Sequence, residues 1–180
     1  MEFDFSQNYF ELFGLEVSFL LDENNLNTQY QQLQSRLHPD RFASSTDQDK
    51  RMAMQATTFI NEAYNTLRDP QSRARYLLEL AGIEFDIEKD TTQDMNFLMA
   101  QMSLREKIDE VDNQESPLDE LDELGLTAKQ EKKQLTENFQ AQYSQQDWKQ
   151  AKETVLKLHF FNRLQQQIKR KQEQLEEEFL

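Results

Sequence analysis

Apolar side chains return every three or four positions along nearly the whole chain, and no alternating Val/Ile/Thr run sits between turn residues. The pattern predicts an all-α protein. A short helix over Tyr9 to Phe13 is stopped by Gly14. A second runs from about Asn25 to Leu37, with Leu26, Tyr30, Leu33 and Leu37 on one face. Pro39 ends it, because the residue before a proline is pushed out of helical geometry. A third helix runs from near Asp47 to Arg68, with a stripe of Met52, Ala56, Phe59, Ala63 and Leu67 widened by Ile60 and Tyr64. Asp69-Pro70 has the form of an N-cap plus first-turn proline, opening a fourth helix that Gly82 closes.

Residues 83–94 are a polar connector and the predicted boundary between residues 1–82 and 95–180. Beyond it, Met95, Leu98, Met99, Met102 and Ile108 mark a fifth helix. Ser116-Pro117 starts the next. Gly125 interrupts it and Thr127-Ala-Lys-Gln130 resembles a capping box, so one kinked helix and two separate ones both stay open. The last helix begins near Asp147 and carries Trp148, Ala151, Val155, Leu158 and Ile168. A helical N-terminal region followed by a three-helix bundle is the expected architecture.

Composition narrows the function. The chain has 34 acidic against 20 basic side chains, a net charge of −14, which repels phosphate backbones and anionic lipid and argues against nucleic-acid or membrane partners. No apolar run approaches the roughly 20 residues of a membrane span, and the start Met1-Glu2-Phe3-Asp4 lacks the basic opening of a secretory signal. A cytoplasmic protein is expected. With no cysteine, thiolate catalysis and Cys-ligated metal sites are excluded. The two histidines, His38 and His159, are far apart, and neither has a Glu three residues before it. Gly14, Gly82 and Gly125 are isolated, so no glycine-rich loop cradles a phosphate. The expectation is a protein without cofactor or metal that is not itself an enzyme.

The sharpest feature is His38-Pro39-Asp40, set between two amphipathic helices within Arg36-Leu-His-Pro-Asp-Arg-Phe42. Proline restricts the loop, while imidazole and carboxylate supply a donor/acceptor pair and a charge able to meet a partner's Arg. Downstream come Ile60-Asn-Glu-Ala-Tyr64, Leu67-Arg-Asp-Pro70 and Arg73-Ala-Arg-Tyr76. On these residues the segment of roughly 8–78 resembles a J-domain, the module that stimulates DnaK-class ATPase chaperones. The resemblance implies that His38, Pro39 and Asp40, with Arg36 and Arg41 beside them, engage the chaperone and trigger ATP hydrolysis. One departure is visible. J-domains usually carry a strongly basic second helix, and here Gln29, Gln31, Gln32 and Gln34 take much of that face, leaving Arg36, Arg41, Lys50 and Arg51. A weaker or specialised electrostatic contact is expected.

The fifth helix reads Phe97-Leu-Met-Ala-Gln-Met-Ser-Leu-Arg-Glu106, and the last contains Lys157-Leu-His-Phe160 and Arg163-Leu164. Leu98, Met99 and Met102 are either a bundle stripe or an adaptable binding surface, for which methionine is well suited, with Met95 and Ile108 serving the core in the second case. Taken with the J-domain, these segments make the whole chain similar to the HscB-type family of J-domain co-chaperones of iron–sulfur cluster assembly. That resemblance implies two partners: an HscA-type chaperone at the J-domain, and an IscU-type scaffold held by the bundle through Leu98, Met99, Met102, Glu106 and Phe160. Ser103 stands where relatives can carry an acid, and His159 where a more permanently basic residue can occur. His159 is otherwise read as a solvated helix residue.

Two other readings remain open at this stage: a J-domain protein with a different client, and a purely structural acidic helical adaptor. Charge distribution favours two binding regions. Residues 84–123 hold fourteen acids against three bases, a net −11, whereas residues 36–75 hold five acids against seven bases, a net +2 around the His-Pro-Asp loop.

Overall fold

The computed structural model describes residues 3–87 and 89–178, the side chains of Pro39 and Glu178 excepted; Met1 and Glu2 of the acidic start lie outside the described residues. Among the described residues seven α-helices follow one another: α1 (Tyr9–Leu12), α2 (Glu23–Leu37), α3 (Asp47–Arg68), α4 (Pro70–Leu80), α5 (Met95–Asp109), α6 (Pro117–Ser144) and α7 (Trp148–Glu178). Two 3-10 turns, Pro39–Phe42 and Val111–Asn113, complete the regular structure. The chain divides into two compact units, Met1–Ala81 and Gly82–Leu180.

Helix ends follow local chemistry. Asn8 and Glu11 form a reciprocal capping box on α1. The Asp22 carboxylate accepts the Asn24 and Asn25 amides, which starts α2 two residues before the first position expected from periodicity. Asp69 accepts the Ser72 amide at 2.8 Å with Pro70 at the first helical position, as anticipated. Gly14 and Gly82 adopt φ of 63° and 78° just beyond α1 and α4, the left-handed conformation that glycine enters without a Cβ penalty.

In the first unit α2 and α3 pack antiparallel: Tyr64 meets Asn27, Tyr30 meets Asn61, and Thr57 meets the Leu37 carbonyl. The buried stripe of α3 is Ala53, Ala56, Ile60, Ala63 and Leu67. It is centred about one residue away from the predicted one, so Ile60 lies in the middle and Phe59 and Met52 on the shoulder. Three alanines in that stripe let the helices approach closely. Phe10, Phe13, Leu26, Leu77 and Leu78 fill the rest of this core.

In the second unit α6 and α7 are antiparallel partners along most of their length, tied by Gln142–Thr154, Lys132–Gln165 and Asp122–Gln172. Leu121, Leu124 and Ala128 of α6 meet Phe161, Leu164 and Ile168 of α7. This burial carries α6 unbroken through Gly125, although an interior glycine costs roughly 1 kcal/mol against alanine. The Thr127 hydroxyl donates to the Glu123 carbonyl one turn back and caps nothing. One continuous helix is the outcome. The polar stretch before α5 is docked on α7: Thr92 is buried and donates to Glu153 at 2.6 Å, and Asp90 and Asp94 pair with Lys152 and Lys157 at 2.8 and 2.7 Å. No helix among the described residues is long and apolar enough to cross a membrane.

Candidate partner-binding sites

At the end of the α2–α3 pair the chain leaves the helix at His38, with φ −58° and ψ 128°, and Pro39 opens the 3-10 turn. The turn is closed by Arg41 N–H donating to the His38 carbonyl and Ala43 N–H to the Asp40 carbonyl, at 3.0 and 3.2 Å. Arg41 also folds back, its Nη1 donating to the Ser35 carbonyl at 3.0 Å, while the Thr57 hydroxyl on α3 is shared between the Ala53 carbonyl at 2.8 Å and the Leu37 carbonyl at 3.3 Å. The Ser35 carbonyl at the end of α2 is thereby satisfied, and the loop is tied back to α2 with a weaker contact to α3.

Within the tripeptide, His38 and Asp40 face solvent. The His38 and Asp40 side chains are 59% and 92% exposed. His38 Nδ1 accepts the Asp40 amide at 3.3 Å, with the Asp40 carboxylate 3.7 Å away. An accepting Nδ1 places the proton of the neutral ring on Nε2, where it is a donor for a partner. The structure brings Arg36, His38, Asp40 and Arg41 together at one end of the hairpin; the Pro39 side chain lies outside the described residues. The glutamine face of α2 is split. Gln31 and Gln32 are exposed, but Gln34 turns inward and donates to Asn61 at 3.0 Å, beside the stacked rings of Tyr30 and Tyr64. Gln34 is therefore a packing residue of the helix pair.

On α5 the two faces separate cleanly. Phe97, Leu104 and Ile108 turn to the core, while Met95, Met99, Met102 and Glu106 follow one another at i, i+4, i+7 and i+11 on the solvent side. Met99 and Met102 are 66% and 63% exposed, and Leu98 lies half-buried on the flank of the same face. Met95, expected to serve the core, is 66% exposed. It sits in the first turn of α5, one residue past the Asp94 cap and on the side away from Phe97.

Phe160 does not share this surface. It is 6% exposed and packs edge-on to Phe97 and Phe161 at 5.6 and 5.1 Å, with the Arg105 guanidinium 5.4 Å from its ring. It reaches outward only into a cleft of about 360 Å³ shared with Phe97, Leu104 and Phe161. Ser103 is exposed, whereas His159 is half-buried with its Nε2 shielded from water, not solvated as expected.

Sequence reasoning also passed over α7. Residues 149–172 hold seven bases and one acid, so a positive helix stands inside a bundle expected to be acidic. Counting charge over a shorter window would have found it.

An antiparallel helix pair that pins an exposed His-Pro-Asp turn at its end defines the J-domain class of co-chaperones. Residues 8–76 match the family described as the DnaJ domain, and residues 93–169 match the HSCB C-terminal oligomerisation domain. A co-chaperone protein HscB homolog of Vibrio cholerae is 40% identical over 168 residues, 93% of this chain and 98% of that protein. Chaperone HscB from Vibrio cholerae superposes with a TM-score of 0.85 at 40% identity, covering 94% of this chain and 99% of that one. Human co-chaperone protein HscB gives 0.86 at 35% identity, covering 93% and 83%. The chain belongs to the HscB family of J-domain co-chaperones.

Proposed function

We propose that this protein regulates a partner ATPase in iron–sulfur cluster assembly. Its J-domain stimulates ATP hydrolysis by an HscA-type, DnaK-class chaperone, and its C-terminal unit holds an IscU-type scaffold as the client. The observation that carries the first half is the pinned, solvent-facing turn. Pro39 and the Arg41–Ser35 bond hold it in one shape, so His38 and Asp40 meet the chaperone with little ordering left to do. Arg36 and Arg41 add the positive charge that steers the encounter.

The second half rests on the outer face of α5. Met99, Met102 and Leu98 offer an adaptable apolar surface on an otherwise charged unit, with Glu106 fixing register at its end. Phe160 supports that face from behind, through Phe97 and Arg105. ATP turnover by purified HscA, measured with IscU and this protein together, tests both halves. Synergy among the three is expected, together with loss of stimulation by His38→Gln at unchanged scaffold affinity. Equal stimulation by His38→Gln and the wild type refutes the role of the loop. Absence of scaffold binding assigns the bundle to a different client.

A further inference from the structure

We propose that the groove between α5 and α7 receives an acidic, extended segment of the client docked on the neighbouring methionine face; this rests on the client-binding role of α5 proposed above. The groove encloses about 800 Å³, with Arg105 and Asp109 on the α5 side and Arg163, Gln166, Arg170 and Gln174 among the residues of the α7 side. In a chain of net charge −14, this is a local reversal of sign.

The fold uses its cations in two ways. Lys152, Lys157 and Lys171 of α7 are matched within the unit by Asp90, Asp94 and Asp112 at 2.6–2.8 Å. Arg105 and Arg170 make no ion pair among the described residues. Both side chains line the groove with forks that suit carboxylates better than an ammonium does, the Arg105 guanidinium also lying over the Phe160 ring at 5.4 Å. The one acid of the lining, Asp109, accepts from Gln167 at 3.4 Å.

The shape indicates a peptide. Arg163, Gln166, Arg170 and Gln174 succeed one another by three and four residues along one face of α7, and eleven residues of helix span about 16 Å. That length matches about five residues of extended chain. The glutamine amides between the arginines can pair with a peptide backbone as the guanidinium groups take its carboxylates. A compact phosphate needs converging donors, and these are strung out in a line. The groove also continues the client face, since Leu98, Met102, Arg105 and Asp109 follow at intervals of four, three and four along one edge of α5.

Calorimetric titration of the full chain with an IscU-type scaffold at about 50 and about 300 mM NaCl tests this, because screening separates charge from apolar contact. Arg170→Glu is expected to weaken binding at least about fivefold at low salt and to flatten the salt dependence. Leu98→Ala is expected to weaken it equally at both. If the wild type binds the scaffold and Arg170→Glu leaves affinity and salt dependence unchanged, the groove proposal falls and the methionine face stands. If the wild type does not bind at all, the scaffold is not the client and the groove proposal falls with that assignment. Hexaglutamate is expected to shift the NMR signals of the Arg105 and Arg170 side chains. Shifts by tripolyphosphate with hexaglutamate silent would overturn the peptide assignment.

Discussion

Phe160→Ala is the substitution most open to misreading, because a loss of client binding by this variant has a purely structural cause available. The ring is 6% exposed. A buried aromatic of this size removes roughly 150–200 Å² from water, worth about 4–5 kcal/mol as an upper bound at ~25 cal/mol per Å². Measured costs of Phe→Ala in cores run about 3–5 kcal/mol. The cleft beside Phe97 and Leu104 lets neighbours collapse into part of the space, which places the expected loss near the lower end, about 3 kcal/mol. Trp148 is the only tryptophan and packs against Tyr143 at 5.5 Å within the same unit, so its fluorescence reports this unit alone. In urea, with a slope of about 2 kcal/mol per M, the fluorescence midpoint should drop by about 1.5 M. Met102→Ala, at 63% exposure, should move it by less than about 0.5 kcal/mol while still weakening scaffold binding. A Phe160→Ala midpoint within about 0.5 kcal/mol of wild type would refute the core placement of this ring.

Two further outcomes follow from single residues. Gly125→Ala should stabilise the C-terminal unit by up to about 1 kcal/mol, read on the same Trp148 transition, because the position is helical and an added Cβ meets no atom within 4 Å; destabilisation would show that α6 breaks there. The Asp94 carboxylate is held below its ordinary 3.8, first by the Lys157 ammonium and then by the Phe97 amide. A depressed folded-state pKa contributes stability above 3.8 that is lost as the pH falls below it. Asp94→Asn keeps an N-cap but not the charge, so the variant should melt with a flatter dependence on pH below that value; identical slopes for the two proteins would remove Asp94 as the cause.

The His-Pro-Asp loop was legible because a turn depends on residues within reach of one another: Pro39, its preceding residue and the two helices that flank it. Capping is equally local, and Asp69-Pro70 was read correctly for that reason. The α3 stripe was harder. Ala53 and Phe59 are both apolar, and only the helix opposite decides that alanine goes inside while phenylalanine rests on the shoulder against Tyr9 and Phe5. The same limit applied to α5, where apolar residues occur on both faces and periodicity alone left the choice between core stripe and binding surface open. The docking of α7 resolves it by covering Phe97, Leu104 and Ile108.

What the residue order determines by itself is the helical class, the caps, the break at Pro39 and the charged character of each stretch, all consequences of contacts within a few residues. Tertiary packing alone decides which apolar residues remain in water, so Met99 and Met102 become a surface while Phe160 becomes core. It also decides which charges are neutralised: α7 finds aspartates for Lys152, Lys157 and Lys171 across the unit and leaves Arg105 and Arg170 facing a groove. Burial and ion pairing depend on neighbours distant in sequence, and those neighbours exist only once α5, α6 and α7 have come together.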